Sequence, residues 1–546
     1  MKRLITLSSL VMIAALLLAA CAPAAAPTAP PPVQVIVTQP PVVQTVVVPQ
    51  TVVAPQTVVA QQTVVVPATA VPVGTQFKGI TVNVLTFTGP QIAEPLQRRA
   101  PDFERLTGAK INVIVVPFSD LYQKILTDHA AGTNSYDAYV LSPQWMADFV
   151  GAGVLEDLTA RINADKDLQW DDVAPFFRNF SANYGGKLYT VPLDGDFEMV
   201  YYRKDILTKD GVKPPETWDD YLAIAKQYQG KPLAPGGKPI YGSCISKKRA
   251  AQGFQMFWSI VGPFLQSQGT KEGSFFDTTS MKPLVMNAGM ARALDIYKES
   301  TKYGPPDELN LDVGDTRSLF DTGRCVLSLD WGDIGTLSVD PANAVPDVIN
   351  NVGSIIDPGT KQVVDPTNRV TGALVNCDST TCPNAVNGVN HAPYAAFGGW
   401  SAAINKDAKP DVKNAAYAFF SYVSQPAQSS VDVTIGRTGF NPYRLSHFAN
   451  LGPWLHSGMN QAMAQDYLGA IQASLQSPNM ILDMRVPQTQ YYQQVALDQA
   501  LAQFLAGEIT RDQAMKQIND AWESKTNELG RDKQLAAYQG SLSITK

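Results

Sequence analysis

The chain has 546 residues, of which 17% are charged, and its formal net charge is −6 at pH 7. This mildly acidic balance, without any basic stripe interleaved with aromatic residues, excludes the usual nucleic-acid-binding proteins, so we expect no nucleic-acid partner. The four histidines include no pair spaced by four residues, which excludes a zinc-protease helix.

The amino-terminal residues have the layout of a bacterial secretion signal. Two basic residues precede an apolar run that ends at Leu18, and small residues lead from there to Cys21. We therefore expect residues 1–20 to be a lipoprotein signal peptide, with Cys21 as the lipid-modified first residue of the mature chain. A membrane-spanning helix is the alternative, but the apolar run is at the short limit for crossing a bilayer.

An uncharged tether follows. Residues 22–75 consist largely of Ala, Pro, Val, Gln and Thr, and the tetrapeptide QTVV recurs every six residues from Gln44. A β-solenoid would need more turn residues and a second face to bury, so we expect residues 21–76 to be an extended, disordered Pro-rich spacer. No later apolar run is long enough for a membrane helix, which leaves acyl chains as the expected membrane anchor.

The next segment alternates between strand and helix patterns. ITVNVLTF, residues 80–87, alternates as a strand does, a helical pattern runs from there to Leu106, and KINVIVVP is a second strand. A second helical pattern spans residues 120–131 and leads to a third strand, YDAYVLS. This order predicts a largely parallel sheet covered by helices.

The loops after the first and third strands are candidate binding segments, because open sheets of this type bind ligands beyond the carboxyl ends of their strands. Residues 87–91 form the first loop and residues 142–145 the second. The candidate ligand-binding residues in these loops are Phe87, Gln91, Ser142, Gln144 and Trp145.

Three carboxylates alternate in the stretch GGKLYTVPLDGDFEMVYYRKDIL, at Asp194, Asp196 and Glu198, and two more stand at Asp330 and Asp333. Paired carboxyls of this kind could serve a glycoside hydrolase. No pattern indicates that one of them is desolvated to act as an acid, so hydrogen-bond acceptance is the favoured interpretation. Because serine-nucleophile, Walker and dinucleotide-binding motifs are also absent from the sequence, we expect neither an enzyme nor a cofactor.

Helices and one insertion account for most of the remaining chain. Thr217 and Asp220 form a capping-box pattern, as do Thr510 and Gln513, and each pair begins an amphipathic helix. Residues 339–394 are rich in Asn, Pro, Asp and Gly and are typical of a loop-dominated insertion. GGWSAAIN then predicts a strand, and PDVKNAAYAFFSYVS a helix.

Apart from Cys21, the chain has an even number of cysteines, which predicts two disulfides in an exported protein. Four cysteines allow three pairings. We favour a local bond between Cys377 and Cys382, which leaves Cys244 to pair with Cys325; free buried thiols are the alternative.

Four tryptophans stand where a predicted element meets a loop: Trp145, Trp258, Trp331 and Trp400. A flat aromatic ring can cover the apolar face of a sugar, while carboxylates, amides and arginines bind its hydroxyls. Each of these tryptophans could instead be a core residue.

The acidic stretch has companions farther along the chain. GKLYTVPLDGDFEMVYYRKDIL, GVKPPETWDDYLAIAK, FDTGRCVLSLDWGD, GGWSAAIN and TGFNPYR occur in this order. Together they resemble the family 1 extracellular solute-binding proteins of ABC importers, relatives of the maltose-binding protein, over about residues 77–535. The chain departs from the family pattern in the YYR sequence and in the insertion that contains Cys377.

The resemblance implies a bilobal α/β fold, in which two lobes joined by crossing strands close around a ligand. One lobe is expected to comprise residues 77–193 and 334–425, including the insertion 339–394, and the other residues 194–333 and 426–546. Crossing segments are expected near residues 192–198, 329–333 and 424–433. The residues expected in the cleft in addition to the two loops are Asp194, Asp196, Trp258, Trp331, Asp333, Trp400, Arg437 and Tyr491.

The expected function is that of a monomeric, lipid-anchored receptor outside the cytoplasm, which captures a mono- or oligosaccharide and delivers it to the transmembrane subunits of an ABC permease. No catalytic residue and no metal site is expected. The alternatives are an exported glycoside hydrolase, a receptor for a non-sugar solute with the same fold, and a surface adhesion or sensory module. Arg437 and Arg485 leave room for an anionic solute.

Overall fold

The computed structural model of the protein describes residues 74–544. The predicted signal peptide, Cys21 and nearly all of the predicted tether lie outside the described residues. Within residues 74–544, every helix is too short or too polar to cross a bilayer.

The first part of the described chain confirms the predicted alternation of strands and helices. Its elements are β1 (Thr81–Phe87), α1 (Pro90–Thr107), β2 (Lys110–Val116), α2 (Phe118–Ala131), β3 (Ala138–Leu141), α3 (Met146–Gly151), α4 (Thr159–Ala164), β4 (Asn183–Tyr184), β5 (Lys187–Leu188) and β6 (Val191–Pro192).

The middle part begins with a strand that belongs to a different sheet. Its elements are β7 (Met199–Arg203), α5 (Lys204–Lys209), α6 (Trp218–Tyr228), β8 (Tyr241–Ile245), α7 (Gly253–Leu265), α8 (Ala288–Ser300), α9 (Val313–Asp321), β9 (Cys325–Asp330), α10 (Asp333–Leu337), β10 (Val352–Ile355), β11 (Gln362–Val364), β12 (Leu374–Asn376) and β13 (Tyr394–Ala395).

The last part is mainly helical. Its elements are β14 (Ser401–Ile404), α11 (Pro410–Ser424), α12 (Pro426–Asp432), α13 (Leu445–Ala449), α14 (Gly452–His456), α15 (Gln461–Gln476), β15 (Ile481–Leu482), α16 (Asp498–Ala506), α17 (Arg511–Leu529) and α18 (Arg531–Ser541). Both predicted capping boxes are present, at the start of α6 and at the start of α17.

The first sheet has the strand order β2-β1-β3-β14-β6. β1 is parallel to β2 and β3, as predicted, whereas β14 is antiparallel to both β3 and β6. The interior strand β3 is buried along its whole length, which matches its uninterrupted apolar sequence. The parallel strands direct the ends of β1 and β3 toward the same edge of the sheet.

The second sheet has the strand order β10-β7-β9-β8. β7 is antiparallel to β10 and β9, and β8 runs parallel to β9. The disulfide between Cys244 and Cys325 joins β8 to β9, and a second disulfide joins Cys377 to Cys382, so the favoured cysteine pairing is confirmed. The buried apolar side chains form two clusters, which agrees with a chain too long for a single core.

The insertion differs from the predicted boundaries. Residues 339–394 were expected in the lobe of the first sheet, but β10, which lies within them, pairs with β7 of the second sheet. β11 and β12 form a hairpin, and β13 pairs with β15 near the carboxyl terminus. Backbone pairing, which a loop-rich composition does not reveal, therefore assigns β10 of this segment to the second sheet.

Two short connections join the first sheet to strands outside it. Residues 193–198 join β6 of the first sheet to β7 of the second, where a crossing was expected, and residues 396–400 join β13, which pairs with β15 in a separate two-stranded sheet, to β14 of the first sheet, where no crossing was expected. The expected crossings near residues 329–333 and 424–433 do not occur there. β9 leads through α10 to β10 of the same sheet, and Asp432 of α12 stays on the first sheet's helix α1, held by Arg98 and Arg99.

Candidate functional site

A small cavity lies where the two connections meet the carboxyl end of β1. The space open to the centre of a water molecule is about 50 Å³. Its wall contains four aromatic residues, two amides, two acids and one arginine, together with three smaller or aliphatic residues. These residues are Phe87, Trp331, Phe397, Trp400, Gln91, Gln252, Asp196, Asp333, Arg317, Ile92, Val313 and Gly439.

The connection 193–198 supplies a pair of carboxyls. Asp194 is fully buried and accepts the backbone N–H of Asn441 at 2.6 Å and that of Trp400 at 3.5 Å. Asp196 lines the cavity with 5% of its surface exposed, and its Oδ2 has no hydrogen-bond partner within residues 74–544. Asp194 therefore ties the two connections together, while Asp196 offers an oxygen to the cavity.

Burial dominates the electrostatics of this pair. It raises the pKa of Asp194 to about 7, and it raises the pKa of Asp196 well above the ordinary value, to which the negative charges of Asp194 and Asp333 add. Because two such neighbours cannot both carry a charge at low cost, the neutral carboxyl of Asp196 can donate a hydrogen bond to Asp194.

One guanidinium compensates the second group of carboxylates. Arg317 of α9 donates from Nε to Asp330 Oδ1 at 2.8 Å and from a terminal nitrogen to Asp333 Oδ2 at 3.0 Å. Burial still raises the pKa of Asp330 to about 7, although the charge of Arg317 opposes this shift. All three side chains are at least 95% buried, so this charge network is held away from bulk water.

The aromatic wall is formed by stacked and tilted rings. Trp331 and Phe397 lie nearly parallel, with an interplanar angle of 11° and ring centroids 5.0 Å apart. The ring centroid of Trp400 lies 5.5 Å from that of Phe397 and 4.6 Å from that of Phe87. The indole nitrogen of Trp331 donates to Gln252 Oε1 at 3.0 Å, so the orientation of this ring is fixed by its polar edge.

The connection 396–400 has an unusual backbone. Phe397 has a φ of +59°, and Gly398 and Gly399 follow with φ values of +80° and +77°. A Cβ at residue 399 would lie 2.0 Å from the carbonyl oxygen of Asp194, so only glycine allows the two connections to pack this closely. The strained left-handed conformation of Phe397 costs about 1–2 kcal/mol, which the surrounding contacts must offset.

A glycine also closes the opposite side of the cavity. Gly439 has a φ of +63°, and a Cβ at this position would lie 2.5 Å from the Cβ of Gln91 and 2.8 Å from Asp333 Oδ1. The sequence TGFNPYR therefore brings the backbone against both the first sheet's loop and the end of β9.

A third group of carboxyls, separate from the Asp194–Asp196 pair and from Asp330 and Asp333, lies deeper in the protein. Glu198 accepts the hydroxyl of Ser259, and Asp483 accepts the phenol of Tyr394 at 2.8 Å. Burial, followed by the charge of Asp357, raises the pKa of Glu198 well above its ordinary value, and burial raises the pKa of Asp357 to about 7. Within the described residues, no group of three histidine, cysteine or acidic side chains has the arrangement of a metal site.

The structure brings together six of the residues predicted to bind a ligand. The six that line the cavity are Phe87, Gln91, Asp196, Trp331, Asp333 and Trp400. Trp145 lies behind them, with its ring centroid 6.2 Å from that of Trp400, and Asp194 lies under the wall. Ser142 and Gln144 are buried as well, and Gln144 accepts a hydrogen bond from Gln493 at 3.1 Å.

Three predicted ligand-binding residues lie away from this cavity. Trp258 packs in the second core cluster, 4.3 Å from the ring of Phe275, and so takes the alternative role of a core tryptophan. Arg437 is exposed, and Tyr491 is half-buried beneath the ammonium group of Lys525. Trp258 is predicted both from its place beside a loop and from family correspondence, Tyr491 from family correspondence alone, and Arg437 only as a group that would suit an anionic solute.

Sequence reasoning missed Gln252, Arg317, Phe397 and Gly439. Arg317 had a usable signal, because it lies on a capped helix directly before the strand that ends in Asp330. Phe397 stands directly before the glycine pair Gly398 and Gly399, and Gly439 is itself an isolated glycine; such glycines can indicate close backbone approach.

Comparison with known proteins places the chain among binding proteins. The family model for bacterial extracellular solute-binding proteins matches residues 89–429. A mannitol-binding protein of Pseudomonas aeruginosa is 26% identical over 234 residues, which are 42% of this chain and 50% of that protein. The chain spans about half the length of the curated relatives it matches.

Solved structures share the fold over a longer range. A solute-binding protein of Agrobacterium radiobacter K84 in complex with ribitol has a TM-score of 0.65 and 21% identity, covering 82% of this chain and 99% of that one. Maltose-bound MalE3 of T. maritima has a TM-score of 0.63 and 21% identity, covering 82% of this chain and 100% of that one. The predicted bilobal α/β fold is thereby confirmed.

Proposed function

Because the chain belongs to the family of bacterial extracellular solute-binding proteins, we propose that it is the receptor of an ABC importer and captures a small polyol or carbohydrate. The observation that carries this proposal is the cavity between the two sheets, in which the indole of Trp331 stands beside the carboxyls of Asp196 and Asp333. An aromatic face and several hydrogen-bond acceptors are what a polyhydroxylated ligand requires.

The polar groups of the cavity favour a ligand with many hydroxyl donors. Asp196 Oδ2 accepts no hydrogen bond from the described residues, and the same holds for Asp330 Oδ2 just behind the wall. The one cavity guanidinium, that of Arg317, already donates to two carboxylates. An anionic solute would therefore meet an excess of acceptors, whereas hydroxyl groups would supply the missing donors.

Capture depends on both sheets. Phe87 ends β1 of the first sheet and Gln91 lies just beyond it, Trp331 follows β9 of the second sheet, and Asp196 and Phe397 lie on the two connections. A ligand held by all of these groups binds the closed arrangement better than an open one, so binding shifts the population toward closure. The permease then distinguishes the closed, loaded receptor from the open one.

Hydrolysis is the second candidate, because burial raises the pKa of Asp194 and Asp196 as a catalytic acid would require. We favour binding without hydrolysis, because burial alone raises these two pKa values and no water-filled catalytic site is needed to explain them. Incubation with oligosaccharides, followed by chromatography, should return the sugars uncleaved. Cleavage that is lost in Asp196→Asn would favour the hydrolase.

We also propose that the receptor is monomeric, that residues 1–20 are removed, and that Cys21 carries the lipid that anchors residues 21–76 to the membrane. Cys21→Ser should move the protein from the membrane fraction to the soluble fraction of cells that process lipoproteins. Membrane retention of this variant would contradict the anchor.

Thermal-shift screening against pentitols, hexitols, monosaccharides and disaccharides tests the proposed function. A ligand that binds only the folded protein raises the melting temperature, and at 100 times its Kd it adds about 2.7 kcal/mol to the stability.

The Trp331→Ala variant should bind the hit at least about tenfold more weakly. Trp170→Ala, a change at a half-buried residue outside the cavity, is the matched control and should bind normally. Absence of any hit in this screen would overturn the proposal.

A further inference from the structure

Phe397 occupies the position that a ligand ring would take on the face of Trp331. The two rings are nearly parallel at 5.0 Å, and Phe397 is only 1% exposed. The ring centroid of Phe397 also lies 5.5 Å from that of Trp400 and 5.8 Å from that of Phe118. A sugar ring stacked on that face of Trp331 would therefore have to displace the phenyl group.

The backbone that carries the phenyl group is held by several contacts. The N–H of Phe397 donates to Asp483 Oδ2 at 2.9 Å, and the N–H of Gly398 donates to the carbonyl of Ala396 at 2.7 Å. The hydroxyl of Ser181 donates to the carbonyl of Gly398, and Gly399 is packed against Asp194. These contacts fix the backbone of residues 397–399 to both lobes, and the ring itself is confined by its packing against Trp331, Trp400 and Phe118, which it would have to leave in order to move aside.

The conformation of residue 397 supports a dedicated role. A φ of +59° is an outlier for a bulky aromatic residue, and such outliers persist where the structure uses them. The consequence here is a ring directed into the cavity wall, next to Trp331, with about 50 Å³ of space left for the centres of water-sized groups.

We propose that Phe397 sets the size of the ligand, because its phenyl group fills the stacking position of a second sugar ring and so restricts the cleft to a polyol or a single monosaccharide. This inference rests on the proposed function. It distinguishes the protein from receptors with the same fold that hold a disaccharide. Exclusion arises from a built-in clash rather than from weaker attraction for the larger ligand.

The experiment measures the affinity of the full chain for matched small and large ligands by calorimetry. The small panel consists of ribitol, D-mannitol and common hexoses, and the large panel of maltose and other disaccharides. Wild-type protein should bind a member of the small panel and no disaccharide. Phe397→Ala should bind at least one disaccharide, with a gain of at least about tenfold over wild type.

Two further variants keep the result interpretable. Phe118→Ala removes a ring that packs on Phe397 but does not line the cavity, so it should leave disaccharide binding as weak as in wild type. Phe397→Leu keeps an apolar side chain without the planar ring and should show a smaller gain; it replaces Phe397→Ala if that variant does not fold.

The possible outcomes separate the two proposals. A wild-type protein that binds a disaccharide as tightly as the variant does overturns the role of Phe397 and leaves the receptor function intact. A folded Phe397 variant that binds the small ligand but no disaccharide overturns it too. If no member of either panel binds any variant, the receptor function itself fails, and the size filter fails with it.

Discussion

The connection 193–198 has two sides that differ in how polar groups are satisfied. On the cavity side, which consists of Asp196, Arg317, Trp331 and Asp333, a guanidinium neutralises charge and the indole N–H has a partner in Gln252. On the interior side, which consists of Glu198, Trp258, Ser259 and Asp357, no arginine or lysine of the described chain forms a salt bridge to the acids, and the nitrogen of Trp258 has no hydrogen-bond partner there.

The difference separates a surface built for recognition from one built for packing. The polar groups of the cavity side are oriented by their neighbours, and Asp196 keeps an unpartnered oxygen at the cavity, as in preorganised binding sites. The interior side lacks such a guanidinium: burial raises the pKa of Glu198 and Asp357, as it does that of Asp196, and apolar rings surround these two carboxyls. The same residue types therefore serve recognition on one side and folding on the other.

The largest expected effect tests this contrast with two tryptophans. Trp258→Ala should lower the free energy of unfolding by about 3–5 kcal/mol, because it empties a fully packed site against Phe275 and Trp522. Trp331→Ala should cost less stability and instead weaken ligand binding by at least about tenfold. Urea denaturation gives the stability of each variant, and calorimetry gives the affinity.

The comparison has a clear opposite outcome. If Trp258→Ala remains folded and loses affinity as strongly as Trp331→Ala, then both sides recognise the ligand. The intermediate control is Trp522→Ala, which removes the stacking partner of Trp258 and should resemble the Trp258 variant in stability and in affinity.

The pH dependence of stability tests the interior carboxyls. Burial raises the pKa of Asp357 to about 7, above its value in the unfolded chain, so the folded state binds the proton more tightly. The associated stability is fully present below about pH 4 and is lost as the pH rises toward 7, with a limiting slope of about 1.4 kcal/mol per pH unit for each such group. We therefore expect the protein to melt at a higher temperature at pH 5 than at pH 8.

Replacing the carboxyl by an amide should remove this dependence at one position. Asp357→Asn keeps the shape and the neutral state, so it should flatten the pH profile and stabilise the protein at pH 8 by on the order of 1–3 kcal/mol. Asp171→Asn, the same substitution at a fully exposed residue, is the matched control. Equal slopes for wild type and Asp357→Asn would show that Asp357 is charged in the folded protein.

Much of this arrangement could be predicted from the sequence, for identifiable reasons. The first sheet follows from strand and helix periodicity, and the loop positions of Phe87 and Gln91 follow from the rule that ligands meet the carboxyl ends of parallel strands. The two disulfides follow from an even cysteine count and one local pair.

The remainder depends on contacts between distant segments. Asp194, Asp196 and Glu198 alternate as if on one face of a strand, yet residues 193–198 are irregular and direct Asp196 and Glu198 to different sides. Trp258 looked like a loop-flanking aromatic residue, but it lies inside a helix that is buried along its whole length. The place of Phe397 in the cavity wall could not be predicted, because the sequence does not show that the glycines after it pack against residues 193–198.

The smallest expected effect concerns the backbone of Phe397. Glycine usually destabilises relative to alanine by about 0.5–1 kcal/mol, but at a φ of +59° the order should reverse. Phe397→Gly should be more stable than Phe397→Ala by about 1 kcal/mol, because both variants lack the ring and only alanine retains the left-handed strain.

The matched pair is Phe257→Ala and Phe257→Gly in helix α7, where glycine should be the less stable by about 1 kcal/mol. Urea denaturation of the four variants decides the matter. The same order at both positions would mean that residue 397 relaxes to an ordinary conformation once the phenyl group is gone, and that stacking on Trp331, rather than the loop, holds the ring over the cavity.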